Sequence, residues 1–294
     1  SPGKTPMSNL QFLSFFINTI AGVFNHKDLI KASTVSSSND LRIGFNEAPS
    51  PDLSIFIGQH LMQVLDDLEN VSKGKLSPEE KTDLKLNVIG KIPEILLDNT
   101  DRNRTAPIAF TGNKFEFRTV GSKSNCSKLI TVLNAIVTEQ LIDFKTAVDK
   151  LIDSKKMKKD DAIFNVLRET ISYIKPELSI EEKKIDQNNP QSTPKILPSY
   201  ISSKSIELFK NLEIFSEREL NARYQVDLEA FNSNIQIESR TLGDMARNHV
   251  IPTAIRYQNV LIENIRGLKD IYGDRQTYNK ELFDKALSDG KVVV

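Results

Sequence analysis

Glycine and proline occur repeatedly up to residue 126 and are absent from the segment that begins at Ser127. This change limits the folds that the chain can adopt. Residues 127–174 contain neither residue type, and their apolar side chains recur every three or four positions. That period is typical of amphipathic helices. Residues 1–126 instead mix short periodic segments, turn-forming runs and one stretch of strand-like alternation. We therefore predict an α+β fold, with a mixed domain over residues 1–126 and a mostly helical domain over residues 127–294.

Helical periodicity predicts several individual helices. The segments with this period are residues 7–25, 55–71, 129–152 and 160–174. By contrast, residues 175–200 hold four prolines and many polar residues, which predicts a surface loop.

A last long helix is predicted to begin after Ser216. Glu219 follows this serine by three residues, which is the spacing of a capping box. The helix carries an apolar stripe that packs against neighbouring helices or another subunit: Leu220, Tyr224, Leu228, Phe231 and Ile235. Pro252 is predicted to kink or break the helix, with helical pattern resuming to Tyr272.

Composition excludes some classes of function. The 39 basic and 39 acidic residues cancel, so there is no electrostatic case for a nucleic-acid or anionic-membrane partner. The longest apolar run, residues 10–24, is short for a membrane span and lacks a small-residue cleavage site, which favours a buried core helix over a span or a signal peptide. A single cysteine, Cys126, excludes an intrachain disulfide and suits the cytoplasm.

The segment KFEFR (114–118) alternates apolar and charged residues. In a strand, this places two phenylalanines in the core and three charged side chains on the opposite face: Lys114, Glu116 and Arg118. A turn at 111–113 would bring Arg104 towards the charged face. Excess positive charge favours a phosphate or a carboxylate ligand. A lattice of salt bridges on a solvated strand face is the alternative, and spacing alone favours it.

A second polar segment is NDLRIGFNEAP (39–49). It holds Arg42 and Glu47 beside a flexible Gly44 and a rigid Pro49. This composition suits a mobile flap over a site, and it suits an ordinary loop equally well.

Taken together, the two segments resemble the type III glutamine synthetases. NDLRIGFNEAP is followed later in the chain by DNTDRNRTAPIAFTGNKFEFR (98–118), and the resemblance extends to LSFFINTIAGVFNHKDLIKAS (13–33), IESRTLGD (237–244) and HVIPTAIRYQN (249–259). It covers nearly the whole chain, and the RNRT…NKFEFR motif is specific. The family's N-terminal β-grasp domain, most of its metal-binding carboxylates and its GSGKHxN-type loop have no counterpart here. The resemblance therefore implies a C-terminal portion of the enzyme, with residues 1–126 as the last part of the catalytic barrel, inactive alone.

Glutamine synthetases phosphorylate the γ-carboxylate of glutamate with ATP, and ammonia then displaces the phosphate. The resemblance implies ATP as co-substrate, Mg²⁺ or Mn²⁺ as cofactor, and a homo-oligomer. It implies that Glu116 ligates a metal that bridges the ATP phosphates, and that Lys114 contacts phosphate where the family commonly has arginine. Arg104 would stabilise the transferring phosphoryl group, and Arg118 would hold glutamate near its reacting end.

The resemblance also implies that residues 39–49 form a flap over the site, here called the flap segment, and that two of its residues have roles. Arg42 would pair with the α-carboxylate of glutamate. Glu47 would shield the acyl phosphate and help to take a proton from the incoming ammonium. The interval between them is one residue shorter than in type I enzymes. Those enzymes also have an arginine where this chain has Ala109. Either Arg102 fills that role, or the role is lost.

A competing hypothesis comes from another class of protein. The helical residues 130–272 could form a non-catalytic assembly module that keeps a synthetase-like fold, with the long apolar stripe pairing with another subunit. The shared presence of five polar residues argues against it: Arg42, Glu47, Arg104, Glu116 and Arg118.

Overall fold

The computed structural model describes residues 6–37, 55–70, 107–112, 114–118, 125–175, 178 and 192–272. By packing, the chain divides into two compact units, Ser1–Phe231 and Asn232–Val294. The described residues are mostly helical, with one small three-stranded sheet. These helices and this sheet confirm the α+β class for the described residues. The domain boundary between residues 126 and 127 stays a prediction.

The N-terminal apolar segment forms helix α1 (Pro6–Asn25), as predicted. Leu13 and Ile17 on this helix are almost completely buried. The described part of the chain contains no helix that is long and apolar enough to cross a membrane. The prediction of a buried core helix is therefore confirmed.

Four further helices contribute to the core of the first unit. They are α2 (Lys27–Thr34), α3 (Gln59–Asn70), α4 (Ser127–Lys155) and α5 (Lys159–Ile174). Helix α1 packs against α4 and α5, and α2 packs against α4. The approach of α1 to α4 is close at Gly22, where a Cβ atom would lie 3.0 Å from the carbonyl oxygen of Ile136.

A polar network lies where α1 meets α2. The imidazole Nε2 of His26 is 2.7 Å from Glu139 Oε2 on α4, and His26 is 5% exposed. Asn25 donates to Gln140 and accepts a hydrogen bond from Tyr173 on α5. These bonds satisfy polar groups that would be costly to bury unpaired.

The sheet consists of three short strands. Strand β1 (Ile55–Phe56) pairs in parallel with β2 (Ile108–Phe110), which pairs antiparallel with β3 (Phe115–Phe117). The prediction of one helix over residues 55–71 is wrong at its start. Ile55 and Phe56 pair with β2, and Gly58, with φ +80°, separates them from α3.

Residues 193–201 correct the predicted surface loop. They form a short helix, α6 (Thr193–Ile196), and a 3₁₀ turn (Leu197–Ile201), each with a proline in its first turn, where proline is tolerated. Leu197 and Tyr200 are buried. Helix α7 (Ser203–Asn211), which was not predicted, follows directly.

Helix α8 (Glu217–Met245) begins at the predicted capping box. The Glu219 amide donates to Ser216 Oγ, and the Ser216 amide donates to Glu219 Oε2 at 2.8 Å. At its N-terminal end, Lys128 of α4 pairs with Asp227 and lies over the Tyr200 ring, 4.4 Å from its centroid. These contacts fix the first part of α8 on the core.

Pro252 does not break the helical backbone. A π-helical segment (Ala246–Val250) follows α8 directly and leads into α9 (Ile251–Tyr272), whose second residue is Pro252. Met245 and Ile251 at its two ends both have right-handed helical dihedrals. Of the predicted kink or break, the break does not occur, because the wider π turn lies where proline cannot donate an α-helical hydrogen bond.

Candidate functional site

The β2–β3 hairpin rests on aromatic packing against α1. The Phe115 ring stacks on Phe16 with centroids 5.5 Å apart, and it meets Phe110 edge-on at 5.1 Å. Phe117 also packs against the core. The hairpin turn is closed by a 2.9 Å hydrogen bond from the Thr111 amide to the Lys114 carbonyl, and Gly112 adopts φ +85°, which suits glycine.

The opposite face of β3 carries the three charged side chains together. Arg118 Nη2 donates to Glu116 Oε2 at 2.8 Å, and Lys114 Nζ lies 3.2 Å from Glu116 Oε1. The side chains of Lys114, Glu116 and Arg118 are 64%, 34% and 23% exposed. The strand alternation predicted this arrangement. One carboxylate therefore lies between two cations on a face that solvent can reach.

The two cations set the charge state of Glu116. The hydrogen bond from Arg118, followed by that from Lys114, lowers the pKa of the Glu116 carboxyl below its usual value. The carboxylate therefore stays ionised to lower pH than an isolated glutamate does. Among the described side chains of this face, two are cationic and one is anionic.

Sequence reasoning missed two neighbours of Glu116. Ala109 lies directly opposite Glu116 in the β2–β3 register and is fully buried. Cross-strand partners share a face, so the position at which type I enzymes carry arginine lies on the same side as Glu116. Thr111 Oγ1 lies 3.5 Å from Glu116 Oε1. The contact with Ala109 depends on the register between β2 and β3, and the contact with Thr111 depends on the turn between them. The alternation of a single strand predicts neither contact.

The other predicted site residues lie outside the described residues. These are Arg42 and Glu47 in the flap segment, and Arg102 and Arg104 before β2. Their convergence with Glu116 and Arg118 therefore stays a prediction.

The donor set at Glu116 fits part of a metal site. Arg118 uses one acceptor position on Oε2 of Glu116, and Lys114 and Thr111 both approach Oε1, out of the about four positions that a carboxylate offers. Within the described ranges, no three His, Cys, Asp or Glu side chains cluster in a way that could hold a metal ion. Mg²⁺ at phosphate sites uses one or two carboxylates together with the phosphates. Glu116 therefore fits as one ligand among several.

Known proteins resemble this chain over nearly its whole length. Residues 172–269 match the family model of the glutamine synthetase C-terminal domain. The chain is 44% identical over 287 residues to a glutamine synthetase of Bacteroides fragilis (strain YCH46), covering 94% of this chain and 39% of that protein. It is 32% identical over 289 residues to the type-3 glutamine synthetase of Dictyostelium discoideum, covering 95% and 39%. A glutamine synthetase of Butyrivibrio fibrisolvens is 31% identical over 277 residues, covering 90% and 38%.

The matched proteins are all synthetases, and this chain aligns with their C-terminal portion. The chain is homologous to the C-terminal part of glutamine synthetases, including one of type 3. It spans about two-fifths of the length of the curated relatives that it matches. The resemblance that the motifs predicted is confirmed.

Proposed function

We propose that this chain works within a longer glutamine synthetase, which uses ATP to join ammonia to glutamate through a γ-glutamyl phosphate. The observation that carries the proposal is the ionised Glu116 between Arg118 and Lys114, in a chain homologous to that family over nearly its whole length. Strands β1–β3 would then belong to the last part of the catalytic barrel, and the enzyme would act in the cytoplasm as a homo-oligomer.

Phosphoryl transfer to a carboxylate joins two anionic groups, so a site for it must neutralise charge and hold both groups in position. Glu116 would help to hold Mg²⁺ or Mn²⁺, which would draw off charge from the ATP phosphates. Lys114 is two residues away on the same face, and its 64% exposed side chain can swing towards a phosphate. Arg118 is more buried and already held in place by Glu116, which suits a residue that orients the glutamate substrate.

Three further roles complete the proposal and rest on the family motif. Arg104 would neutralise the phosphoryl group during transfer. Arg42 would bind the α-carboxylate of glutamate. Glu47 would exclude water from the acyl phosphate and accept a proton from ammonium, so that neutral ammonia attacks.

A non-catalytic assembly module is the second candidate. Its support is the large share of helix in the described chain and the number of exposed apolar side chains beyond residue 231. Homology to glutamine synthetases over nearly the whole chain, together with the five polar residues of the family motif, favours the synthetase.

The test is Glu116→Gln in the complete protein that carries this chain. Loss of the anionic ligand should reduce glutamine formation by about 100-fold or more, which corresponds to about 2.7 kcal/mol of transition-state stabilisation. Glu169→Gln, an exposed position on α5, is the matched control and should retain activity. Full glutamine synthesis by Glu116→Gln would contradict the proposal.

A further inference from the structure

One buried ring of α1 contacts both strands of the hairpin that carries Glu116. Phe16 is 1% exposed, and its ring stacks on Phe115 of β3 with an angle of 18° between the two planes. The same ring meets Phe110 of β2 edge-on, with centroids 4.9 Å apart. Aromatic pairs at such distances attract each other beyond the area that they bury, and they favour defined ring angles. The contacts of Phe16 therefore fix both the place and the tilt of the hairpin.

The stacked ring of β3 belongs to the residue next to Glu116. Phe115 directly precedes Glu116, and it pairs with Phe110 in the register between β2 and β3. Neighbouring side chains of a strand lie on opposite faces, so a rotation of β3 that moves the Phe115 ring also moves the Glu116 carboxylate. Among the described strands, β3 pairs with β2 alone, and it is three residues long. A pair of strands is only marginally stable by itself, so backbone pairing gives little resistance to such a rotation.

Helix α1 is held firmly on its other side by α4. Asn18 of α1 is 0% exposed, and its side-chain oxygen accepts a hydrogen bond from Gln140 of α4 at 3.3 Å. Asn25 of α1 donates to the other end of the same glutamine amide, Gln140 Oε1, at 3.0 Å. One side chain of α4 therefore binds two points of α1, and Gly22 between them allows the close approach of the two helices. The ring of Phe16 is thus carried by a helix that cannot shift easily.

A carboxylate that binds magnesium has to be placed accurately. Mg²⁺ requires near-octahedral coordination with ligand distances of about 2.0–2.1 Å. The side chains of a functional site have to stay within about 0.5 Å of the productive geometry. Arg118 and Lys114 hold the carboxylate of Glu116, but both flank it on the same strand and move with that strand. Its place relative to the rest of the molecule has to come from contacts on the other face of β3.

We propose that Phe16 is a positioning residue for Glu116. Its ring acts through Phe115 and sets the place of the carboxylate that binds the divalent cation. The role rests on the proposed function, because it requires Glu116 to be a metal ligand. Ordinary core packing would also bury Phe16, but the two roles differ in what the loss of the ring changes. Packing alone affects stability, whereas positioning also affects the affinity for the metal.

The experiment is a double-mutant cycle on Mn²⁺ binding by the complete protein that carries this chain. Free Mn²⁺ gives an electron paramagnetic resonance signal that bound Mn²⁺ loses, so the titration does not depend on activity. Phe16→Leu keeps an apolar side chain without the ring and should raise the dissociation constant of Mn²⁺ at least about fivefold. Glu116→Gln should raise it as well. Adding Phe16→Leu to Glu116→Gln should change it by less than about twofold, because the ligand through which the ring acts is already lost.

Leu13→Ala is the matched control for lost packing on α1. Leu13 is 1% exposed, as Phe16 is, but it lines a small gap between α1, α3 and α5 together with Leu68 and Phe164. This variant should lower the melting temperature at least as much as Phe16→Leu does and keep the dissociation constant of Mn²⁺ within about twofold of the wild-type value. Hydrogen exchange in β2 and β3 should be faster in Phe16→Leu and unchanged in the control.

Three results would overturn the proposal. One is a folded Phe16→Leu variant that binds Mn²⁺ like the wild type, and another is an equal loss of affinity in Leu13→Ala. The third is a further loss when Phe16→Leu is added to Glu116→Gln, since the ring would then act through another group. If Phe16→Leu does not fold, Phe115→Leu removes the other, partly buried ring of the stack and is judged by the same outcomes. Full glutamine synthesis by Glu116→Gln would instead contradict the proposed function, which keeps the two failures apart.

Discussion

His26 is a buried titratable side chain that takes no part in the proposed site. Its ring lies between the α1–α2 junction and Glu139 on α4, with Lys204 and Asp143 nearby. Burial is the largest influence and lowers the pKa of His26 below its ordinary value of 6.5, although the hydrogen bond to Glu139 opposes this. The folded chain therefore binds a proton here less readily than the unfolded chain does.

This difference predicts a pH-dependent stability. Above pH 6.5 both states hold a neutral His26, and the full stability is present. As the pH falls below that value, the unfolded state takes up protons first, so stability decreases until the folded-state pKa is passed. We expect the melting temperature of the wild type to drop more than that of His26→Gln between about pH 7.5 and about pH 5.5. His249→Gln, which replaces an exposed histidine, should follow the wild type, and a His26→Gln variant that did the same would contradict this assignment.

The sequence predicted the polar face of β3 because alternation is a property of one strand. Lys114, Glu116 and Arg118 must share a face wherever that strand lies. The sequence could not predict that Ala109 lies opposite Glu116, because this pairing depends on the register between β2 and β3. Nor could it predict the burial of His26, which depends on how α1 and α4 pack.

Helices were predictable in proportion to their length. The period of 3.6 is clear over the 29 residues of α4 and the 20 residues of α1. The sequence does not predict the four-residue α6 or the 3₁₀ turn beside it, because proline indicates a loop as readily as it indicates the first turn of a helix. The π segment was missed as well, since Pro252 alone does not say whether a helix breaks or widens.

Helix α1 should be a main source of stability because it packs on α4 and α5 through fully buried residues. Ile17 is 0% exposed, and Ile17→Ala should lower the free energy of unfolding by about 2–5 kcal/mol. Phe15, on the other side of the same helix, is 54% exposed, and Phe15→Ala should change it by about 0.5 kcal/mol or less. Urea unfolding measures the free energy of unfolding of both variants, and equal losses would contradict the packing described here for α1.

As a whole, residues 1–294 should bind nucleotide poorly without the rest of the synthetase. Glu116 is the only predicted metal ligand in the chain, and the described residues hold no cluster of three potential ligands. Magnesium requires near-octahedral oxygen coordination, so one carboxylate gives little affinity. Titration of Mg-ADP should detect no binding tighter than about 10 µM and the assay no glutamine, whereas the complete protein should show both. Micromolar binding by residues 1–294 alone would contradict the proposed division of the site.

The single cysteine has a practical consequence for counting subunits. Cys126 is exposed directly before α4, and it is the one thiol in the sequence. A maleimide dye therefore attaches once per chain, at a position outside residues 232–272. When single labelled particles are imaged by fluorescence, the number of photobleaching steps of the dye then equals the number of chains in the particle.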